Sequence, residues 1–99
     1  MRIEILDGAK SDFLDGFWFY EEQSEGVGHY FVDSLMADIE SLHLYAGVHA
    51  KQFGYHRMRA RRFPFAIYYR VRGELVQVHA VLDCRRDPRW IRKRLTGKL

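Results

Sequence analysis

At Tyr55 the apolar residues change period, and that switch constrains the fold more than any other feature of the 99-residue chain. Before it, apolar residues recur every three to four positions. Ala9, Phe13, Phe17 and Tyr20 form one stripe, with Leu14 and Trp18 beside it, and Val27, Phe31, Leu35, Ile39 and Leu42 form a second. That spacing gives a helix one dry side, while Lys10, Asp12, Asp15, Glu22, Gln23, Asp33, Asp38 and Glu40 take the wet side. After Tyr55 the period is two, as in a strand. Met58 and Ala60 alternate with Arg57, Arg59 and Arg61. Phe65, Ile67, Tyr69 and Val71 alternate with Ala66, Tyr68, Arg70 and Arg72. Val76, Val78, Ala80 and Leu82 alternate with Leu75, Gln77, His79, Val81 and Asp83.

Local signals divide these patterns into elements. A short strand is expected at 2–6, then helices at 8–23, with Asp7 as N-cap, and at 27–45. Ser24-Glu25-Gly26 separates the helices so briefly that they must be antiparallel neighbours. Residues 47–54 read as a loop. Strands follow at 55–62, 65–72 and 75–83, divided by Phe63-Pro64 and Gly73-Glu74. Asp87-Pro88 pairs an N-cap with a proline at the first helical position, opening a short basic helix whose apolar side is Trp90, Ile91 and Leu95. The predicted class is α+β, in the order β-α-α-β-β-β with a tail helix. A helical hairpin packs on one face of a mostly antiparallel sheet, and a chain of this size makes one domain, 1–99. Phe13, Phe17, Phe31, Leu35, Ile39, Ile67 and Val78 should be buried, with Trp18 in the same core. The other sheet face should be open and carry Arg57, Arg59, Arg61, Tyr68, Arg70 and His79.

Charge is divided unevenly. Residues 1–50 hold two basic and ten acidic residues, net −8, and residues 51–99 hold fourteen basic and three acidic, net +11. Three like charges along one strand repel each other, so the Arg57/Arg59/Arg61 stripe points to an anionic partner, an acidic protein segment or nucleic acid. On the open face Tyr68 could stack on a base or pack under a partner helix. Arg85 and Arg86 extend the basic surface, while Asp87 caps a helix and pairs locally with an arginine.

Other chemistries are poorly served. The apolar runs are too short to span a bilayer, the N-terminus has acidic residues where a signal peptide is apolar, and the single Cys84 allows no internal disulfide; the cytoplasm is the expected location. Histidines 29, 43, 49, 56 and 79 lack paired ligand spacing. No metal, cofactor or small-molecule substrate is expected. A Cys84–His79 dyad is disfavoured because residues five apart on a strand point to opposite faces.

Beyond these general features, specific phrases resemble the RelE/ParE toxin family over nearly the whole chain. They are Phe13-Leu14-x-x-x-Trp18-x-Tyr20, Phe31-x-x-x-Leu35-x-x-x-Ile39-x-x-Leu42, Tyr55-His56-Arg57, Arg62-Phe63-Pro64-Phe65-Ala66-Ile67-Tyr68-Tyr69-Arg70-Val71, and Val81-Leu82-Asp83-Cys84-Arg85-Arg86-Asp87-Pro88. Members with the last motif are often called ParE-like or plasmid stabilisation proteins. The resemblance implies the toxin half of a type II toxin–antitoxin pair, neutralised by a cognate antitoxin whose flexible segment wraps it. RelE-like members cut messenger RNA on the ribosome; ParE-like members inhibit DNA gyrase; some members have lost toxicity.

The residues that would divide these branches favour the second. Where the ribosome-dependent nucleases place an arginine in the second-last strand, this chain has Ala66. Arg86 matches their arginine near the end of the last strand, and Arg92 falls where they carry a tyrosine or histidine. Cleavage needs a group that moves the 2′-hydroxyl proton, which a permanently protonated arginine does badly. His79 or His56 would have to substitute. The expectation is a ParE-like gyrase inhibitor acting by binding, through Arg57, Arg59, Arg61, Tyr68, Arg70, Arg85 and Arg86. The alternatives are a ribosome-dependent endonuclease using Arg86 and His79, and a non-toxic relic that only binds antitoxin.

Overall fold

A computed structural model of the chain describes residues 1–97; Lys98 and Leu99, the end of the expected 1–99 domain, lie outside the described residues. The elements are β1 (Arg2–Ile5), α1 (Asp7–Glu21), α2 (Val27–Glu40), α3 (Leu42–Tyr45), β2 (Lys51–Gln52), β3 (Tyr55–Arg59), β4 (Phe65–Arg72), β5 (Leu75–Asp83) and α4 (Pro88–Thr96). The five strands form one sheet in the order β1-β5-β4-β3-β2. β1 runs parallel to β5, with Arg2 opposite Leu75 and Ile5 opposite Val78, and every other pairing is antiparallel. The architecture is the α+β arrangement expected.

The α1–α2 hairpin packs on one face because its stripes meet the sheet's apolar rows. Phe31, Leu35, Ile39, Leu42, Ile67, Tyr69, Val76 and Val78 are fully buried there. Gly16 and Gly28 allow the helices to approach so closely. A Cβ at Gly16 would lie 2.5 Å from the Phe31 ring, and one at Gly28 would lie 2.6 Å from the Phe17 carbonyl oxygen. The Glu21 carboxylate accepts the Gly26 and Gly28 N–H groups, fixing the turn between the helices.

Several details differ from the sequence reading. Leu6, not Asp7, occupies the N-cap of α1, and Asp7 is its first helical residue. The second helix breaks at Ser41, whose hydroxyl donates to the Asp38 carbonyl. The expected loop contains the short edge strand β2. β3 ends at Arg59, so Arg61 lies beyond the strand. Trp18 is 53% exposed, Leu14 is exposed, and Phe17 is half-buried. α1 carries apolar residues on more than one side, and the sheet covers only one of them.

The largest departure is a β-bulge. Tyr68 pairs with Ala80 but Tyr69 pairs with Val78, leaving His79 as the extra residue of β5. One inserted residue flips the strand's alternation. Val76 and Val78 face the hairpin, but beyond the bulge Val81 does so, and Ala80 and Leu82 face the other way. That second face is not open. α4 lies across it, and Ile91 and Leu95 join Tyr55, Ala66, Tyr68, Ala80 and Leu82 in a second core. As expected, Pro88 opens α4 and the Asp87 side chain accepts the Arg89 N–H at 2.8 Å.

Candidate functional site

Closure by α4 redistributes the basic residues expected on one open sheet face. Tyr68 is 1% exposed and is not a stacking platform. Its hydroxyl receives Arg57 Nε at 3.3 Å, and Arg57 also reaches Cys84 Sγ at 3.3 Å. Arg57 is thus half-buried against the second core. Arg70 lies 4.2 Å above the Tyr55 ring, and that ring also meets His79 edge-on. Tyr55 in turn donates its hydroxyl to the Leu95 carbonyl at 3.0 Å, tying β3 to α4. Arg59 and Arg61 are exposed, on a different side of the molecule from Arg86. The structure therefore joins Arg57 with Tyr68, and Arg70 with His79 through Tyr55, but gathers no single arginine stripe.

Arg85 and Arg86 diverge at the end of β5. Arg85 forks onto Asp83, with Nη2 to Oδ2 at 2.7 Å and Nε to Oδ1 at 3.0 Å, which holds the Asp83 carboxyl below its usual range. Arg86 stays available for outside contacts, its guanidinium stacked 3.7 Å from the Trp90 ring. Arg86 and Trp90 line a cleft of about 520 Å³ between α1, the end of β5 and α4, with Asp12, Asp15, Phe19, Asp83 and Arg94. Asp12 fastens this cleft. It accepts the Val81 N–H at 3.0 Å and Arg94 Nη2 at 2.8 Å. Burial nevertheless outweighs those partners and pushes its carboxyl up. The sequence placed Asp12 on the wet side of α1; only the three-dimensional meeting of α1 and α4 shows its role.

The histidines proposed for proton transfer sit elsewhere. His79 does not line the Arg86 cleft. Its Nε2 is buried without a hydrogen-bond partner among the described residues, and burial, then Arg70 and Arg72, lowers its affinity for a proton. His56 stacks on Tyr69, and its Nδ1 donates to the His49 carbonyl at 2.6 Å. Among the described residues no three of His, Cys, Asp and Glu gather to hold a metal, and no helix is long and apolar enough to cross a membrane.

This layout is a two-helix hairpin on a five-stranded mixed sheet with a short helix across the far face, a ParE/RelE-like fold. A chain of the solved structure described as the chromosomal ParDE TA system from P. aeruginosa is similar to it, with a TM-score of 0.73 and 17% identity over 82% of this chain and 92% of that one. No family model and no curated protein matches the sequence.

Proposed function

We propose that the chain is a ParE-like toxin of a type II toxin–antitoxin pair, that it acts on DNA gyrase by binding rather than by cutting RNA, and that a cognate antitoxin neutralises it. The fold and its likeness to a ParDE chain support the toxin reading. The observation that carries the mode of action is Ala66. The strand position where the related nucleases hold a catalytic arginine is here a fully buried alanine in the core beneath α4. Arg86 alone can hold an anion, but three carboxylates share its cleft. They disfavour an RNA phosphate there and suit contact with a protein. His79 lies apart from it with its free nitrogen buried.

Two assays test the target. Purified chain should inhibit gyrase supercoiling, with Arg86→Ala weakening inhibition. In a translating-ribosome assay with mapped 5′ ends, messages should stay intact; codon-phased cuts lost in Arg86→Ala or His79→Ala would establish the endonuclease instead. Antitoxin binding is proposed to use carboxylates that meet Arg57, Arg59 and Arg61. Changing all three to glutamate should weaken the complex, and wild-type binding should fall with added salt. Affinity indifferent to both would remove these arginines from the interface.

A further inference from the structure

A second cleft, distant from Arg86, has the composition of a ligand site. It lies between α2, α3 and the segment that follows β3, encloses about 400 Å³, and is bordered by Ser34, Asp38, Tyr45, His49, Arg59 and Arg61, with Arg62 at its rim. That volume fits a nucleoside-sized molecule. Its floor is polar and built. Asp38 is 5% exposed on α2, and Oδ2 accepts the Arg61 N–H at 3.1 Å. Ser34, one helical turn earlier and 6% exposed, has a buried hydroxyl without a hydrogen-bond partner among the described residues. A buried polar group left unpaired is costly, and the Ser34 hydroxyl, beside the buried Asp38 carboxylate at the same cleft, calls for a ligand rather than an apolar contact.

Arg59 borders the cleft from the end of β3. At the mouth, the side chains of Arg59, Arg61 and Arg62 make no ion pair among the described residues, and the Tyr45 ring is exposed beside them. His49 is fixed on the inner wall by the Tyr69 hydroxyl at 2.6 Å.

A carboxylate floor accepts hydrogen bonds only. An arginine rim wants an anion. A flat aromatic at the mouth offers a stacking partner. One ligand class answers all three: a planar base with several N–H donors, joined to a phosphate. We infer that this cleft binds a nucleoside 5′-phosphate, with guanine the preferred base, because guanine presents adjacent ring and exocyclic N–H donors to a carboxylate. Asp38 and Ser34 read the base, Tyr45 covers it, and Arg61 and Arg62 hold the phosphate. The site lies away from the Arg86 cleft, and it shares Arg59 and Arg61 with the surface proposed for the antitoxin, so the two ligands would compete there.

The test is a titration of the full chain, without antitoxin, by calorimetry and by amide chemical shifts. The probes are GMP, UMP, guanosine, inorganic phosphate and a short glutamate peptide. GMP should bind with shifts at Ser34, Asp38, Tyr45 and Arg61. UMP, guanosine and phosphate should each bind at least about tenfold more weakly, the loss expected when one charged hydrogen bond is forfeited. Asp38→Asn keeps an acceptor for the Arg61 N–H, so the fold should hold, and it should erase the preference for GMP over UMP. Arg61→Ala with Arg62→Ala should bring GMP down to the affinity of guanosine. Absence of GMP binding to the folded wild-type chain would overturn the inference. So would equal binding of GMP and phosphate, shifts confined to α4, or a glutamate peptide that binds as well as GMP, which would make the cleft a peptide site.

Discussion

The two faces of the sheet are closed by different means. On the hairpin face, rings interlock around Phe31. Tyr20, Phe63 and Phe65 lie within 5.2 Å of it, centroid to centroid, and Phe13 lies at 6.3 Å. Leu35, Ile39 and Leu42 continue that apolar core along α2 and α3. On the far face, α4 contributes only Ile91 and Leu95, and polar latches supply the rest: Tyr55 to the Leu95 carbonyl, and Arg94 to Asp12 and to the Gly8 carbonyl. A face sealed by apolar area opens only when the whole domain unfolds. One held by two side chains and a few hydrogen bonds can open locally. α4, the most basic of the helices, is therefore expected to open before the hairpin does.

Four measurements would break or sharpen this contrast. The largest effect belongs to Phe31→Ala, which should cost about 3–5 kcal/mol in urea unfolding because the rings around it cannot collapse into the space. A cost no greater than that of an α4 substitution would erase the distinction. Leu95→Ala should cost about 2 kcal/mol, and hydrogen exchange should quicken in α4 while β4 and β5 stay protected. Uniform loss of protection would show that α4 and the hairpin unfold as one unit. Tyr55→Phe removes only the latch to Leu95, at about 1 kcal/mol, and should loosen α4 without moving the hairpin.

The smallest effect is on pH. Burial lowers the affinity of both His49 and His79 for a proton below the ordinary 6.5, with His56 adding to the first and Arg70 and Arg72 to the second. The unfolded chain then binds protons that the folded chain refuses. Stability is complete above about pH 6.5 and declines as pH falls through that value, levelling off below the folded-state pKa of each ring. The two rings report on different faces. His79→Gln should remove the acid sensitivity of α4 exchange, and His49→Gln that of the segment holding Tyr69. If either substitution flattened both responses, the faces would be coupled.

The hairpin face was legible in the sequence and the far face was not. Helical spacing from Phe31 to Leu42 and alternation from Phe65 to Val71 each name their buried side directly. Three features defeated the same reasoning. The run from Val76 to Leu82 alternates without a break, so nothing in it marks His79 as the residue that turns the later half over. Tyr68 sits among arginines in sequence, and its burial depends on a helix that arrives twenty residues later. Leu14 and Trp18 share a helix with a true core stripe but lie off its axis. The sequence groups the arginines on one face, but their separation into Arg57 beside Cys84, Arg61 beside Asp38 and Arg86 over Trp90 is set by tertiary contacts. Asp38 looked like an ordinary wet-side helix residue, and nothing in the sequence singled out Ser34, until the segment after β3 came to lie beside them.

The parallel pairing of Arg2 with Leu75 has a consequence for how the chain is made. β5 lies between β1 and β4, so the first strand has no partner, and the hairpin's apolar stripe no complete seat, until residues 75–83 have left the ribosome. Contacts so distant along the chain form late, and a nascent hairpin with Phe31, Leu35 and Ile39 uncovered is exposed to misassembly. Birth order thus imposes a delay: for most of its synthesis the polypeptide lacks a finished surface, and it should acquire one abruptly. Stalled nascent chains should show this as a step in protease resistance. They should be cut freely when the emerged portion stops before Leu75 and be protected once Asp83 is well clear of the exit tunnel. A gradual rise instead would mean that the hairpin finds shelter on β3 and β4 alone.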